Sequence, residues 1–191
     1  MSVSIRAVNA AADAARLCEI YNPYILSTTI TYEYDAIDAA EFESRINSVT
    51  ERFPFLVLET DGMIAGYAYA SAFNQRKAYD WDADISIYLD MNMRGRGYGR
   101  LLFGKLLDVL TEMGYVNACS LIDIPNPASE ALHASFGFRK TGSYDKSGWK
   151  GGRWLDMAIY SKRLSDPAVP PAIDFNWQKI LNNLNSDNIS N

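Results

Sequence analysis

The stretch Arg94-Gly95-Arg96-Gly97-Tyr98-Gly99-Arg100 follows an apolar run at residues 85–89 and opens an amphipathic helix predicted for residues 98–113. Its glycines let the backbone pass close to a ligand, because no Cβ atom stands in the way. The helix then offers unpaired N–H groups and a partial positive charge to phosphate oxygens. Arg96 and Arg100 add fixed positive charge beside them. A strand, a glycine-rich loop and a helix in this order indicate a pyrophosphate site.

Two other phosphate-binding motifs fail here on single positions. A dinucleotide loop needs Gly-x-Gly-x-x-Gly, and Arg100 stands where the third glycine belongs. A nucleoside-triphosphate loop is approached by Gly99-x-x-x-x-Gly104-Lys105, but Leu106 replaces the serine or threonine that binds magnesium. That segment also falls inside the predicted helix rather than at its start. Both motifs are therefore rejected.

Size and charge exclude several classes of protein. The chain has 191 residues, 48% of them hydrophobic and 21% charged, which is ordinary for one globular domain. Its formal net charge of −5 argues against a broad nucleic-acid surface, so the arginines around Gly97 predict a site for a small anion. No apolar run approaches the ~18 residues of a membrane span, and the N-terminus lacks a signal-peptide pattern. We expect a cytoplasmic protein that binds neither nucleic acid nor membrane.

Cysteine and histidine are scarce in this chain. Cys18 and Cys119 are too few for a disulfide framework, and neither has a metal-ligating neighbour at short spacing. We expect both to be buried as small hydrophobic residues. His133 is the single histidine, so no metal site is expected.

Local signals divide the chain into helices and strands. Asp38 and Glu41 form a capping box, Asp61-Gly62 is a two-residue hairpin turn, and Asn126 caps a short helix that Pro127 starts. The predicted helices are residues 13–21, 38–52, 98–113 and 127–137, and the predicted strands are residues 4–7, 55–59, 63–70, 82–89, 116–122, 138–144 and 154–161.

Helix ends and buried faces follow from the same signals. Pro23 is expected to stop the first helix, and Gly114 to end the helix of residues 98–113. That helix carries apolar residues at helical spacing. Those expected to be buried are Leu101, Leu102, Leu106, Val109, Leu110 and Met113.

The composition changes beyond Leu164. Residues 166–171 contain three prolines and predict an extended linker. Phe175, Trp177 and Leu181 then lie among many asparagines and predict a short docked helix, with the last eight residues disordered. The predicted organisation is one domain at residues 1–164, followed by a linker and tail at residues 165–191 that is partly disordered or docked.

The order of elements, together with Arg94-x-x-Gly97-x-Gly99, resembles the GCN5-related N-acetyltransferase (GNAT) superfamily. The six-residue pattern is weak alone, but the preceding strand and the following amphipathic helix make it specific. The resemblance implies an α/β (α+β) fold with helices on both sides of a mixed, mostly antiparallel central sheet, splayed at the cofactor site. It also implies acetyl-CoA as the cofactor.

Further matches are similar to one branch, the phosphinothricin and methionine-sulfone type amino-acid acetyltransferases. They are Ile20-Tyr21-Asn22-x-x-Ile25, Arg76-x-x-Tyr79-x-Trp81, Asp84-Ile85-Ser86-Ile87-Tyr88 and Gly148-Trp149-Lys150-x-Gly152-x-Trp154-x-Asp156. This resemblance implies direct acetyl transfer, in a ternary complex, to the α-amine of a small amino acid or analogue such as phosphinothricin, methionine sulfone or methionine sulfoximine. It also implies a homodimer.

By the same resemblance, the cofactor lies along the glycine loop and the strand before it. A backbone N–H of that strand would polarise the thioester carbonyl. Asn126 would bond the pantetheine amide and can also cap its helix, so both roles stay open. Ser135 would lie near the sulfur end. The implied cofactor residues are Ile87, Tyr88, Leu89, Gly95, Arg96, Gly97, Tyr98, Gly99, Arg100, Asn126 and Ser135.

Two residues are candidates for proton transfer. Asp84 stands where the branch has a glutamate, and a carboxylate in an apolar strand is costly to bury without a function. We expect it to take the amine proton through water, the alternative being an ordinary surface residue at the wet end of the strand. His133, where many members have a tyrosine, is the candidate donor to the leaving thiolate, the alternative being a packing residue.

The acceptor site is expected in the loops. Arg76 and Lys77 are the candidate partners of a substrate carboxylate, and Ala78 and Tyr79 belong to the same substrate-side loop. The alternative is a solvated charged loop. Tyr32 and Glu33 are expected to close the pocket, and Trp149 and Trp154 to form a dimer contact or the pocket rim.

Other functions remain open at this point. A non-catalytic sensor of acyl-CoA would keep the same cradle, and an acidic chain would suit a polyamine, an aminoglycoside or a protein N-terminus as acceptor. Asp84, Asn126 and His133 are all polar, which favours an enzyme. Arg76 favours an acceptor that carries a carboxylate.

Overall fold

The computed structural model describes residues 2–187. The strands are β1 Val3–Ala7, β2 Phe55–Thr60, β3 Met63–Ala72, β4 Asp82–Leu89, β5 Asn117–Ile124, β6 Arg139–Lys150 and β7 Arg153–Arg163. The helices are α1 Ala10–Ser27, α2 Ala39–Thr50, α3 Tyr98–Met113, α4 Pro127–Ser135 and α5 Trp177–Asp187, with 3-10 turns at Lys77–Tyr79 and Met91–Met93.

The strands form one seven-stranded sheet in the order β1-β2-β3-β4-β5-β7-β6. Every neighbouring pair is antiparallel except β4 and β5, which run parallel and pair only from Asp82 with Asn117 to Asp84 with Cys119. Beyond Asp84 the two strands separate and leave a gap in the sheet. The predicted mixed, mostly antiparallel and splayed sheet is therefore confirmed.

Helices cover both faces of the sheet. On one face α1 and α2 bury Leu17, Phe42 and Ile46 against Val57 and Tyr67. On the other face α3 and α5 meet the opposite sides of the same strands, because successive strand residues point to opposite faces. That second core includes Ala68, Ile85, Leu102, Leu106, Leu110 and Trp177.

Three local predictions are confirmed by backbone geometry. The Asp38 side chain accepts a hydrogen bond of 2.8 Å from the Glu41 N–H and caps α2. Asp61 and Gly62 have φ values of 50° and 81°, as a two-residue turn between β2 and β3 requires. Gly114 ends α3 with φ of 97°.

Two predictions about helices were wrong. α1 continues through Pro23, because Tyr24 and Ile25 beyond it are buried in the core and this offsets the helix hydrogen bond that proline removes. Leu101 is 52% exposed, because α3 turns Leu102 and Phe103 to the sheet instead. The hairpin of β6 and β7 is also longer than predicted, since β6 has register shifts that the sequence pattern does not reveal.

The C-terminal segment docks on the domain. The Trp177 side chain is 1% exposed and donates from Nε1 to the Thr50 carbonyl at 3.2 Å. The Trp81 ring N–H donates to the Pro171 carbonyl at 2.7 Å and ties the linker to the start of β4. Residues 184–187, expected to be disordered, continue α5, and residues 188–191 lie outside the described part of the chain.

We predict that Trp177→Ala destabilises the protein by about 3–5 kcal/mol, because it empties a fully enclosed site. Phe175→Ala is the matched control, since this ring in the same segment is 45% exposed, and we expect a loss below about 1 kcal/mol. Urea unfolding measures both. Equal losses for the two variants would show that the tail is not docked.

Candidate active site

The gap between β4 and β5 exposes peptide groups of β4. At its narrow end the Ser120 hydroxyl lies 3.0 Å from the Ile85 carbonyl, to which it can donate its one proton. At its wide end the Tyr24 hydroxyl bonds the Leu89 carbonyl at 2.6 Å and receives the Leu89 N–H at 3.3 Å. Alternate residues of a strand turn their peptide groups to the same side, so the N–H and C=O groups of Ile87 also face the gap. None of residues 2–187 closes this edge by strand pairing at Ile87, so its peptide groups can meet a ligand.

Tyr88 contributes to the site differently. It lies opposite Tyr67 in the pairing of β3 with β4, so its peptide groups face β3. Its ring packs edge-on against Tyr21 and Tyr24 at centroid distances of 4.8 and 5.2 Å. The side chain of Tyr88 thus supports the wall of the site, and the free strand edge belongs to Ile87.

The glycine loop after β4 forms an open cradle. Gly95 and Gly97 have φ values of 76° and 83°, a region that favours glycine, and a Cβ atom on either would meet no heavy atom within 4 Å. Gly97 begins α3 without a side-chain cap. The first N–H groups of α3, from Tyr98 to Arg100, therefore remain for an anion.

The charged and aromatic residues of the loop have distinct contacts. Arg100 donates to the Ser135 hydroxyl at 3.0 Å and lies over the Phe136 ring, which links α3 to α4. Arg96 has a single long contact of 3.5 Å to the Asn92 carbonyl, and its side chain is exposed. Tyr98 is buried, so it anchors the loop.

A cavity of about 290 Å³ leads from this cradle to the gap. Gly95 and Gly99 lie at one end, Ile87 lies on β4, and Asn126 lies across from it on α4. The Asn126 side-chain oxygen accepts from the Ser129 N–H at 3.2 Å, which confirms the helix cap. No group in residues 2–187 bonds the side-chain Nδ2 of Asn126, so capping leaves this nitrogen available to a ligand.

Asp84 stands where the gap begins. It lies opposite Ser71 of β3, and directly opposite residues share one face of a sheet, here the face covered by α1 and α2. Burial raises the pKa of Asp84 to about 6, and its backbone hydrogen bond at Ile85 only partly opposes this. The described residues form no ion pair with it. Asp84 is therefore a carboxylate that is ionised at neutral pH yet remains a useful base.

His133 is held on the other face of the sheet. It is 3% exposed and packs against Phe103 and Phe138. Its Nδ1 lies 2.8 Å from the Ser129 carbonyl and its Nε2 lies 2.9 Å from the Ser120 hydroxyl. Burial lowers the pKa of His133, so the ring is neutral at neutral pH, with the proton on Nδ1 facing the carbonyl. Nε2 is then an acceptor, and it shares the single Ser120 hydroxyl proton with the Ile85 carbonyl.

The predicted acceptor loop does not line the gap. Arg76, Lys77 and Ala78 are exposed, and the Tyr79 ring packs edge-on against Phe73 at 5.6 Å. The loop joins β3 to β4 and therefore lies at the end of β4 that carries Asp84. The loop thus lies near Asp84, but its side chains do not line the cavity between the glycine cradle and the gap.

Tyr32 and Glu33 occupy two different environments. The Tyr32 ring lies against Gly148, where an added Cβ would come within 2.3 Å of the ring. Glu33 accepts two hydrogen bonds from Arg45, at 2.8 and 3.0 Å, and one from Tyr21 at 2.7 Å. Burial opposes ionisation of Glu33, but these bonds hold its pKa below the usual value.

Sequence reasoning missed several residues of this region. Tyr24 and Ser120, which bond the free edge of β4, carried no motif. Asp123 could have been found by the criterion applied to Asp84, because it is also an acidic residue in an apolar strand. It is 6% exposed, accepts from the Thr29 hydroxyl at 2.6 Å, and has its pKa raised by burial.

We predict that Asp84→Asn raises stability at pH 7.5 by about 1–2 kcal/mol, because it removes a partly buried charge that has no ion-pair partner. For an acid whose pKa is raised on folding, stability falls as the pH rises from about 4 through about 6. The gain should therefore vanish near pH 4. Urea unfolding at both pH values measures it.

Asp108→Asn is the matched control, since Asp108 is exposed on α3 far from the gap. We expect no change in its unfolding free energy at either pH. A gain from Asp84→Asn that is the same at pH 4 and pH 7.5 would contradict the assignment of a buried, ionised carboxylate.

Comparison with known proteins gives this geometry a context. The acetyltransferase (GNAT) domain family matches residues 5–159. A phosphinothricin N-acetyltransferase of Streptomyces viridochromogenes is 32% identical over 160 residues, which cover 84% of this chain and 87% of the relative. The L-amino acid N-acyltransferase MnaT of Escherichia coli is 32% identical over 166 residues, which cover 85% and 95%.

Solved structures show the same likeness. A phosphinothricin acetyltransferase of Sinorhizobium meliloti in complex with acetyl-CoA has a TM-score of 0.85 and 35% identity, over 90% of this chain and 94% of that one. An acetyltransferase of Salmonella typhimurium with its cofactor acetyl-CoA has a TM-score of 0.84 and 29% identity, over 90% and 99%. Both similarities extend over most of the two chains compared.

Proposed function

The chain belongs to the acetyltransferase (GNAT) family, and we propose that it acetylates the α-amine of a small amino acid or analogue, of the phosphinothricin, methionine sulfone or methionine sulfoximine type. Acetyl-CoA is the acetyl donor. The observation that carries the proposal is Asp84 at the point where β4 leaves β5, because it sets a base beside the free strand edge. Transfer is direct, within a ternary complex.

The cradle residues hold the donor. The backbone N–H groups from Gly95 to Arg100 meet the pyrophosphate, and Arg96 adds charge. The peptide groups of Ile87 and the Asn126 amide face the cavity that suits a pantetheine arm. Ser135 steadies Arg100 rather than facing this cavity. The Ile87 N–H is the group placed to polarise the thioester carbonyl.

Asp84 is the general base of the proposed reaction. It takes the proton of the acceptor ammonium, through water because its side chain is short. The amine nitrogen then forms a bond to the acetyl carbon while the carbon–sulfur bond breaks, and the nitrogen loses its second proton to water. The thiolate leaves and is protonated. With a pKa raised by burial to about 6, Asp84 is ionised at neutral pH and retains basicity.

His133 fits a positioning role better than that of an acid. A neutral ring whose only proton faces the Ser129 carbonyl has none to give to a thiolate. Its Nε2 instead holds the Ser120 hydroxyl at the narrow end of the gap. We therefore assign His133 to the support of Ser120, and the thiolate proton to solvent.

Exposed residues supply the remaining features. Arg76 and Lys77 can form an ion pair with the acceptor carboxylate, because their side chains are exposed at the Asp84 end of β4. We also propose a homodimer, because the exposed rings of Trp149 and Trp154 pack on each other at 5.4 Å and form an apolar surface.

Within residues 2–187 no helix is long and apolar enough to cross a membrane. We place the protein in the cytoplasm because its acetyl donor is an intracellular metabolite.

We predict that acetyl-CoA is turned over with at least one amino acid or analogue of this type. Free thiol release is followed with phosphinothricin, methionine sulfone, methionine sulfoximine and a panel of amino acids. Measurable binding of acetyl-CoA with no turnover of any acceptor would overturn the proposal and favour a non-catalytic sensor.

The pH dependence tests the base. We expect kcat/KM to fall below pH about 6, as Asp84 becomes protonated. Asp84→Asn should lower kcat by about 100-fold or more, on the scale of lost general base catalysis. Asp108→Asn should leave both rate and profile unchanged. An unaltered profile in Asp84→Asn would remove Asp84 from the mechanism.

Arg96→Gln tests the cradle. Loss of one charge-assisted contact to phosphate should raise the Kd of acetyl-CoA about tenfold, with little change in thermal stability. Arg139→Gln is the control, because Arg139 is exposed at the start of β6. Titration calorimetry measures both, and equal affinities for the two variants would contradict the cradle.

A further inference from the structure

A second cavity, of about 460 Å³, lies between α2 and the strands β2 and β3. We call it the aromatic cavity and define it by Phe42, Phe55, Tyr67, Tyr69 and Ser71. The sequence contained no motif for it, because its walls come from α1, the loop after α1, α2, β2 and β3. Its size falls within the range of small-molecule sites.

Five of its eleven lining residues carry aromatic rings. Phe55 lies nearly parallel to Tyr67 and Tyr69, at interplanar angles of 17° and 11° and centroid distances of 5.5 and 5.1 Å. Phe42 stands edge-on to Tyr67 at 5.7 Å. Phe55 and Tyr67 are 3% and 1% exposed and support the wall from the core, so the half-buried Tyr69 is the ring that a guest in the cavity meets.

The aromatic cavity adjoins the proposed base. Ser71, at one end of the cavity, lies directly opposite Asp84, and Tyr69 lies directly opposite Ser86. Directly opposite residues share a face of the sheet, so the cavity and the Asp84 carboxylate open on the same side. An amine placed at Asp84 therefore has its substituent next to the cavity.

The charges at the rim are already paired. Arg45 makes two hydrogen bonds to Glu33 and one of 2.5 Å to Glu41. No other cationic side chain among residues 2–187 lines the aromatic cavity. A phosphinate or carboxylate entering it would lose hydration without gaining a free partner, whereas an apolar group would gain contacts.

We propose that the aromatic cavity receives the acceptor side chain, so that the enzyme prefers α-amino acids with aromatic side chains over those with anionic ones. This inference rests on the proposed function, because it takes Asp84 as the base and the acceptor as an amino acid. The amine lies at Asp84, the ring lies against Tyr69, and the carboxylate turns outward to the loop of Arg76.

The first test compares acceptors at saturating acetyl-CoA. We expect kcat/KM for phenylalanine and tryptophan to exceed that for phosphinothricin and glutamate by at least tenfold, with alanine between them. A higher value for phosphinothricin than for phenylalanine would overturn this inference and leave the proposed function intact. No turnover of any acceptor would instead overturn the proposed function itself.

The second test fills the cavity from α2. Ser48→Trp places bulk at a position that lines the aromatic cavity, and Asn47→Trp places the same bulk at the neighbouring exposed position, which does not line it. We expect Ser48→Trp to raise the KM of phenylalanine about tenfold while kcat/KM for alanine changes less than twofold. Asn47→Trp should change neither.

Thermal melting of both variants checks that they fold. If either variant fails to fold, the comparison of acceptors on the unmodified enzyme still tests the inference. An equal effect of Ser48→Trp on phenylalanine and alanine would show that the cavity does not hold the side chain. No effect on either acceptor would show the same.

Discussion

The separation of β4 from β5 after Asp84 is the constraint on which the rest of the structure depends. Buried peptide groups without partners are costly, so a gap inside a sheet must be supported from outside the strands. Ser120 supports it at the narrow end through the Ile85 carbonyl, and Tyr24 supports it at the wide end through Leu89. His133 in turn holds Ser120. Ile87 between these supports is left for a ligand, which makes the gap a binding edge.

The same divergence explains why Asp84 differs from other carboxylates of this protein. Burial raises the pKa of Asp13, but two hydrogen bonds from Arg6, one from the Asn9 N–H and the charge of Arg6 together hold it below the usual value. Asp84 has no such partner, and burial alone raises its pKa. A paired carboxylate would be more stable but less basic. The fold thus gives up stability at one position, where basicity is useful.

Features set by neighbours in the chain could be predicted from the sequence, whereas features set by distant elements could not. The Asp38 cap, the turn at Asp61 and the end of α3 at Gly114 depend on a few adjacent residues. The course of α1 through Pro23 depends on the burial of Tyr24, which only the assembled core determines. The glycine cradle is a local feature and was predicted. The aromatic cavity needs β2, β3 and α2 together and was not.

This contrast also separates the two halves of the site. The donor half of the site, which would hold acetyl-CoA, is made of the Ile87 peptide groups and of the start of α3 at Gly97. Backbone groups of this kind change little when side chains change. The acceptor half relies on side chains from several elements, so its selectivity is free to differ between proteins that share the donor half. Asp84 lies at the boundary. In the proposed reaction its carboxylate, which is shorter than that of a glutamate, acts on the amine through a water. The pKa that burial confers, rather than direct contact with the amine, then decides how well this base works.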